Sequence, residues 1–413
     1  MSATTAAPTL PTGGRDVRVI SLIGVAHGSS HFYQLAFVTM LLIVRERAGL
    51  SFTDVGLLGG LFYGVSGIVQ TGAGFAVDRF GARPILAGGL LVIGLALAAI
   101  AFAHSFPAFA AIAMVAGAGN SVFHPADFAL LNASVNPKRL GRAFSIHGLG
   151  GSLGWAAAPV MYFLNDMFGW AGAAMLGALP GLVLSVLVLS HRRDLVDHRI
   201  KARAMAATQA KVSLGGLFLQ APILLCLAYF ALLAMNTVGI QQFAVPAWHQ
   251  MFGVSESYAA FCLIVFVVGS ATGVFTGGFF ADRVRNHERV AAVGLLSAAA
   301  LTLPVALQAV GPVLLPVVLA LAGFAGGTTG PSRDMIVRNA TPTGASGKVF
   351  GFVYSGLDVG SFLAPPVFGF LMSHGVPAVI FWIATGLYVV NACIVGVIRQ
   401  TSPHPAPLPA AAE

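Results

Sequence analysis

The sequence predicts an all-α membrane protein with twelve transmembrane helices in two pseudo-symmetric six-helix bundles. Three observations lead to this class. Apolar residues make up 57% of the chain and charged residues 9%, whereas about a quarter of a soluble domain is charged. Long apolar stretches recur along the whole sequence. Finally, one short pattern occurs twice, once in each half of the chain.

The duplication has a constant spacing. Segment 141–144 (Gly-Arg-Ala-Phe) recurs as 347–350 (Gly-Lys-Val-Phe), an offset of 206 residues. The same offset relates Gly150, Gly154, Ala158 and Pro159 to Gly356, Gly360, Ala364 and Pro365. A second pattern at 74–79 returns at 278–283, an offset of 204. Two similar halves of an apolar chain are a recurrent plan for carrying a solute across a membrane.

Each half contains six stretches long enough, or nearly so, to cross about 30 Å of hydrocarbon at about 20 residues each. In the first half they lie near 19–44, 53–77, 84–103, 106–132, 140–164 and 168–189. In the second half they lie near 217–245, 257–281, 290–310, 312–337, 347–371 and 376–398. A transmembrane β-barrel would instead alternate polar and apolar residues in roughly ten-residue segments.

These spans predict the domain boundaries. We expect an N-terminal tail over 1–18, a first bundle over 19–190, a connector over 191–216, a second bundle over 217–398 and a C-terminal tail over 399–413. The first 18 residues lack the apolar core of a cleaved signal peptide. The three cysteines stand alone within spans, without CxxC spacing, and are interpreted as small apolar fillers.

The net charge of +8 is explained by topology, not by nucleic-acid binding. With the N-terminus inside, 19 of the 22 Lys and Arg residues fall on one side. Only Arg45 and Arg47 fall on the other, and Arg333 lies within a span. By the positive-inside rule, both termini are then cytoplasmic. We expect a monomeric, multi-pass protein of a bacterial-type inner membrane, with the lipid bilayer as its surroundings and no nucleic acid as partner.

The loop over 74–83 reads Gly-x-x-x-Asp-Arg-x-Gly-x-Arg and resembles the signature of the major facilitator superfamily between helices 2 and 3. Its partial repeat stands between helices 8 and 9. The resemblance covers roughly residues 19–398 and implies that these loops control conformational switching. The residues involved are Gly74, Asp78, Arg79, Gly81 and Arg83, and in the repeat Gly278, Asp282 and Arg283.

A narrower likeness lies in the first half. Segment 120–125 (Asn-Ser-Val-Phe-His-Pro), with His27 and His31-Phe32, resembles the fosmidomycin-resistance branch of these transporters. Where that branch tends to place Glu after His-Pro, this chain has Ala126, and Asp127 is the nearby acid. The branch resemblance implies proton-driven efflux of small, often anionic, drugs.

Few ionisable residues lie within the spans, and such groups are functional candidates by default. His27, His31 and Gln34 share one face of helix 1. In a major facilitator fold, helices 1, 4, 7 and 10 line the cavity. The three residues are therefore candidates for binding substrate, and His31 also for handling protons. Structural hydrogen bonding is the alternative, and the i, i+4 histidine spacing alone leaves a metal site open, although no metal is expected.

Helix 4 contributes His124 and Asp127 on either side of Pro125, which removes a backbone donor and is expected to bend the helix. These residues are candidates for proton coupling or gating, or else form a fixed structural pair with each other. His147, in helix 5, is a candidate substrate ligand, and a structural role in hydrogen bonding is the alternative.

The offset of 206 maps Asp127 onto Arg333 in helix 10. Corresponding positions in the two halves should approach each other across the cavity. Asp127 and Arg333 are therefore hypothesised to pair as a gate, which cysteine cross-linking at 127 and 333 would test. Alternatively, Arg333 binds an anionic group of the substrate. Asp334 is expected to pair with Arg338 along the helix surface.

Two further groups complete the candidate set. In helix 11, Asp358 is a candidate proton site. Tyr354, four residues before it on the same face, is a candidate substrate ligand. In helix 7, near an expected break at Pro246, four donors are candidate substrate ligands: Asn236, Gln241, Gln242 and Trp248. Interhelical hydrogen bonding is the alternative for these four residues.

The leading hypothesis is a secondary transporter that works by alternating access, is coupled to protons and exports a small organic anion or drug. Proton-coupled uptake of a small organic acid is the second hypothesis. A membrane enzyme with a metal at His27, His31 and His124 is a less favoured alternative, and a receptor less favoured still. Neither cofactor nor enzymatic activity is expected, and the partners are a small-molecule substrate and protons.

Overall fold

The computed structural model describes residues 13–136, 139–195, 218–281, 284, 286–340 and 346–401. Helix covers most of every predicted span, and the described residues contain no strand. By length and apolar composition, nine described helical stretches suffice to cross a membrane. The prediction of an all-α membrane protein is confirmed.

Within the described residues, the first half contains seven α-helices: α1 (Gly13–Val44), α2 (Phe52–Phe80), α3 (Ala82–Ala99), α4 (Phe106–Asn120), α5 (Phe123–Ser134), α6 (Leu140–Ala157) and α7 (Val160–Ser190). The described residues of the second half also contain seven: α8 (Ala221–Phe252), α9 (Glu256–Ala281), α10 (His287–Ala306), α11 (Leu315–Gly327), α12 (Thr329–Ala340), α13 (Ser346–Ser373) and α14 (Pro377–Thr401). Gly169, with φ of 69°, interrupts α7.

The fourth and tenth predicted spans are each broken at the corresponding place. The helix is interrupted at residues 121–122, between α4 and α5, and at Thr328, between α11 and α12. Pro125 and Pro331 explain both breaks, because each removes the N–H that would bond four residues back. The bend expected from Pro125 is thus observed. The prediction of a helix break at Pro246 is wrong, because α8 continues through this proline.

The chain forms two compact units. The first contains Met1–Ala210, Gln241–Val268 and Phe362–Pro377, and the second contains Lys211–Ile240, Gly269–Ser361 and Ala378–Glu413. In the first unit, α1 packs mainly on α6, α3 on α7 and α2 on α4. In the second, α10 packs on both α11 and α12. The two-bundle division at 191–216 stays a prediction.

Glycines set the crossing of α1 and α6. A Cβ on Gly150 would overlap the carbonyl oxygen of Gly24, and one on Gly154 would overlap that of Gly28. Small residues let helix backbones approach closely in membranes. This close crossing places His27 and His31 of α1 against the face of α6 that carries Gly150 and Gly154.

The second unit repeats this crossing between α8 and α13. A Cβ on Gly356 would contact the carbonyl oxygen of Leu227, and one on Gly360 would overlap that of Ala231. The glycines are displaced by 206 residues from those of α6, and their partners by 203 from those of α1. The duplicated glycines therefore perform the same packing task in both units.

The signature loop forms a tight connection from α2 to α3. Gly81 has φ of 98°, and its N–H donates to the carbonyl of Val77; such a φ suits a residue without Cβ. The Arg79 guanidinium lies 5.3 Å from the centre of the Phe80 ring. Gly74 lies in α2 and Gly278 in α9. The Asp78 side chain and residues Asp282 and Arg283 lie outside the described part of the chain.

An ionic network joins the start of α1 to residues that follow α5 and α7. The two nitrogens Nε and Nη2 of Arg18 donate to the Asp194 carboxylate at 3.0 and 3.2 Å. Arg139 Nη1 donates to the buried Asp16 Oδ2 at 2.9 Å. These contacts fix the end of the bundle that is expected to face the cytoplasm.

Asp194 gives a testable pH dependence. The hydrogen bond from Arg18, with the charges of Arg18 and Arg15, holds the pKa of this carboxyl below its ordinary value. The contribution of ionised Asp194 to the free energy of unfolding is therefore fully present above the ordinary carboxyl pKa. This contribution is lost as the pH falls through the lowered pKa of the folded protein. We expect Asp194→Asn to lower the unfolding midpoint by about 1–2 °C at pH 7, since exposed ion pairs contribute little. The difference should shrink as the pH falls below the ordinary carboxyl pKa, and a difference independent of pH would contradict the assignment.

Candidate functional site

The crossing of α1 and α6 gathers four histidines and one aspartate, here called the histidine cluster: His27, His31, His124, Asp127 and His147. His27 Nδ1 lies 3.1 Å from Asp127 Oδ2. His147 Nε2 lies 3.2 Å from the same oxygen. The His27 and His147 rings stack with centroids 3.5 Å apart. One carboxylate oxygen thus joins helices α1, α5 and α6.

The Asp127 carboxylate is fully buried, and its partners His27 and His147 are 4% and 5% exposed. Burying a carboxylate is costly unless its charge is paired and hydrogen-bonded. The two imidazoles supply this pairing at Oδ2, whereas Oδ1 has no hydrogen-bond partner among the described residues. From the sequence, His124 is considered as a fixed partner of Asp127. The described hydrogen bonds of Asp127 instead go to His27 on α1 and His147 on α6.

Hydrogen-bond chemistry orders the protons in this cluster. Because an ionised carboxylate only accepts, Nδ1 of His27 and Nε2 of His147 donate to it. A neutral His27 then presents Nε2 as an acceptor, and His31 Nε2 lies 3.2 Å from this atom. The direction from donor to acceptor is therefore His31 to His27 to Asp127. Such a chain connects the partly exposed His31 to a buried acid.

Two residues that the sequence did not single out as ligands shape the cluster. A Cβ on Gly151 would lie 2.9 Å from His31 Cδ2 and 3.4 Å from His27 Nε2, so the absent side chain leaves room for both rings. The Trp155 ring lies 5.3 Å from that of His31. Their spacing of three and seven residues from Gly148 gave no signal by itself. Only the helix crossing identifies them.

His27, His124 and His147 each offer one ring nitrogen within 4.8 Å of the others. Imidazole nitrogens suit zinc, copper and nickel ions, so these three residues are those that could hold a metal. Two of the three, His27 and His147, already bond to Asp127. His124 is exposed, with its ring centroid 5.2 Å from that of His27.

Gln34 lies outside the histidine cluster, although it shares a helix face with His27 and His31. Its Nε2 donates to Asn120 Oδ1 at 3.3 Å, and Ser30 Oγ donates to the same oxygen at 2.9 Å. Asn120 Nδ2 in turn donates to Ser66 Oγ at 2.9 Å. These buried contacts tie α1 and α2 to the end of α4.

The four donors of α8 have different surroundings. Asn236 Nδ2 lies 3.5 Å from the Ala384 carbonyl oxygen, and Gln242 Nε2 donates to the Tyr63 hydroxyl at 3.4 Å. Trp248 is fully buried, and Gln241 is 6% exposed. The expected substrate contacts of these residues stay a prediction, and interhelical bonds account for Asn236 and Gln242 in this structure.

The second unit contains a separate cationic centre. Arg333 Nε donates to Asp334 Oδ1 at 3.0 Å, and the Tyr354 hydroxyl donates to the same oxygen at 3.0 Å. The guanidinium carbon lies 4.6 Å from the centre of the Phe230 ring, a cation–π distance. The Phe230 and Tyr354 rings lie 4.9 Å apart.

Two further expectations from the sequence concern this centre. Asp334 pairs with Arg333, its immediate neighbour. The Arg338 side chain lies outside the described part of the chain, so the expected Asp334–Arg338 pair stays a prediction. Asp358 is exposed, and the hydroxyl of Tyr354 points to Asp334 instead. The Asp127–Arg333 gate stays a prediction.

The long apolar helices are those of a multi-pass membrane protein. The chain belongs to the Major Facilitator Superfamily, whose family model matches residues 23–243 and 229–413. The resemblance inferred from the signature loop is thereby confirmed. The family consists of transporters, so the chain is a transporter and not an enzyme.

Several curated relatives are similar to this chain. The uncharacterized MFS-type transporter YfnC of Bacillus subtilis is 28% identical over 74% of this chain and 75% of its own length. The probable 4-methylmuconolactone transporter of Cupriavidus pinatubonensis is 26% identical over 76% and 74%. The fosmidomycin resistance protein of Escherichia coli is 24% identical over 64% and 65%. Drug-resistance proteins and transporters of organic acids both occur among the relatives.

A solved structure supports the fold alone. The bacterial homolog to the human lysosomal transporter Spinster, in an inward-facing and occupied conformation, gives a TM-score of 0.75 at 14% identity. The match covers 96% of this chain and 100% of the other.

Proposed function

We propose that the protein is a secondary transporter that moves a small organic anion or drug-like solute across the cell inner membrane by proton-coupled alternating access. The single observation that carries the proposal is the buried Asp127, bonded to His27 and His147 and reached through His31. Intramembrane Asp and His residues in chains mark proton relays of transporters. His124 is exposed and lies beside His27, next to this proposed proton path.

Arg333 is the candidate site for the solute's negative charge. A guanidinium presents donors in a planar fork that matches carboxylate geometry. Its ring neighbour Phe230 and the half-buried Tyr354 offer an apolar surface beside the charge. Asp358, exposed on the same helix as Tyr354, is a second candidate proton site. The signature loops from Gly74 and Gly278 are proposed to control switching between states.

Efflux is the favoured direction, because a fosmidomycin resistance protein is among the relatives. Uptake of a small organic acid is the second candidate, favoured by Arg333 and by relatives such as the 3-(3-hydroxy-phenyl)propionate transporter of Escherichia coli. Both directions share one mechanism. We further propose that both termini lie in the cytoplasm, from the distribution of basic residues, and that the protein acts as a monomer.

Flux in proteoliposomes tests this function. The purified full chain is reconstituted, a pH gradient is imposed, and labelled organic anions and fosmidomycin are followed with the gradient in each direction. We expect at least one solute to move against its own gradient while the proton gradient lasts. A protonophore should abolish this accumulation, because dissipating the gradient removes the driving force.

The sign of the gradient that drives accumulation distinguishes exchange from co-transport. Protein-free liposomes and liposomes with unrelated membrane protein are the controls. Flux that equilibrates the solute but never accumulates it would contradict proton coupling and indicate a uniporter. A chain that moves none of these solutes would contradict the proposed substrate class.

A further inference from the structure

The cationic centre of the second unit contains its own anion. Arg333 Nε is bonded to the carboxylate of Asp334, and Tyr354 bonds the same oxygen from α13. Adjacent residues of a helix point about 100° apart, so the two side chains must bend towards each other to meet. The Asp334 carboxylate therefore takes the place beside the Arg333 guanidinium that an external anion could take.

We propose that Asp334 is an internal stand-in for the carboxylate of the transported solute, which displaces it from Arg333. This inference rests on the proposed function, since it specifies the anion that the proposed solute site takes. Asp334 is the more accessible partner: its side chain is 42% exposed, whereas that of Arg333 is 20% exposed. Asp334 can thus swing away while Arg333 stays in place.

The ring beneath Arg333 fixes the guanidinium independently of Asp334. Phe230 is fully buried, and the guanidinium carbon lies 4.6 Å from its centre. This contact survives when Asp334 leaves, so the donor fork stays oriented. The Asp334 bond uses Nε alone, whereas a free carboxylate can bond two donors of the fork at once. A solute can therefore bind more strongly than the stand-in.

The corresponding positions of the first unit support an anion site at Arg333, because they hold a group of the opposite charge. The glycine crossings relate α8 to α1 by 203 residues, and the 206 offset relates α12 to α5. By these offsets Phe230 corresponds to His27, and Arg333 corresponds to Asp127. The position that holds a buried acid between imidazoles in one unit holds a guanidinium on an aromatic ring in the other. The two units are thus suited to ligands of opposite charge, a proton and an anion.

Equilibrium binding of benzoate to the purified full chain tests the stand-in, with uncharged benzamide as the matched probe. We expect Asp334→Asn to tighten benzoate binding about tenfold, the size of one charge-assisted hydrogen bond. Arg333→Gln should abolish the binding. Asp194→Asn, which changes an aspartate outside the spans that accepts from Arg18, should bind benzoate as the unchanged protein does. Benzamide should respond to none of these substitutions.

A gain of affinity cannot arise from misfolding, so the Asp334→Asn result is informative even where Arg333→Gln unfolds the protein. Unchanged or weaker benzoate binding by Asp334→Asn would overturn the inference and make Asp334 a structural partner of Arg333. If neither the unchanged protein nor Asp334→Asn binds benzoate, the inference is overturned too. The binding assay needs no proton gradient. Tightened binding together with uncoupled flux would therefore refute the proposed function and not the stand-in.

Discussion

Replacing Gly154 with alanine is expected to destabilise the protein, although alanine is the better helix former. Glycine inside a helix normally costs about 1 kcal/mol relative to alanine, so the exchange should be favourable at an open position. At Gly154 the new Cβ would overlap the carbonyl oxygen of Gly28 and lie 3.0 Å from the Phe32 nitrogen. Overpacking of this kind typically costs about 1–3 kcal/mol.

Gly148 provides the matched control, since it lies on the same helix and a Cβ there would meet nothing within 4 Å. Gly148→Ala should leave the thermal midpoint in detergent unchanged or slightly higher, whereas Gly154→Ala should lower it. Gly154→Ala should also reduce proton-driven flux, because widening the α1–α6 crossing separates His27 from His147. Equal midpoints for both variants would contradict the close crossing.

The fold was predictable to a large extent, because the solvent of a membrane protein leaves a strong mark on composition. Apolar stretches of the right length located the helices, and proline chemistry anticipated the break before Pro125. The corresponding break before Pro331, where α11 and α12 separate, has the same chemical cause but was not predicted. Pro246 behaved differently: neighbouring helices and waters can satisfy the carbonyl that a proline frees within a membrane, so local chemistry did not decide the outcome.

The candidate site was predictable in its membership but not in its connections. His27, His31 and Asp127 stood out as ionisable groups within spans. That His147 shares Asp127 with His27 could not be read from the sequence, because these contacts join residues 20 and 100 positions apart. Spans that are apolar all round give little indication of which face turns inward.

The same limit explains Gln34 and Asp334. Gln34 has the right helical spacing for the histidine cluster, but it bonds to Asn120 instead. Asp334 bonds to the adjacent Arg333, a contact that its i, i+4 spacing from Arg338 does not indicate. In neither case did spacing along the helix reveal the observed partner. Spacing along one helix therefore identifies candidates, and packing between helices selects among them.

Replacing Asp127 with asparagine is expected to abolish proton-driven net transport while leaving solute exchange intact. Asparagine has nearly the same shape and keeps an oxygen that can accept from His27 or His147, but it cannot take up a proton at pH 7. Flux driven by a pH gradient should fall to the level of protein-free liposomes. Counterflow of labelled against unlabelled solute, which needs no net proton movement, should continue.

Asp194→Asn is the matched control, because this aspartate lies outside the spans and should alter neither measurement. The separation of the two readouts distinguishes a proton-binding acid from a structural one. If Asp127 merely joins α1, α5 and α6, its replacement will reduce counterflow and driven flux together and will lower the thermal midpoint. Driven flux that stays at the original level would place the coupling acid elsewhere, with Asp358 as the next residue to replace. Loss of driven flux alone would make the buried carboxylate between His27 and His147 the point at which the proton gradient enters the transport cycle.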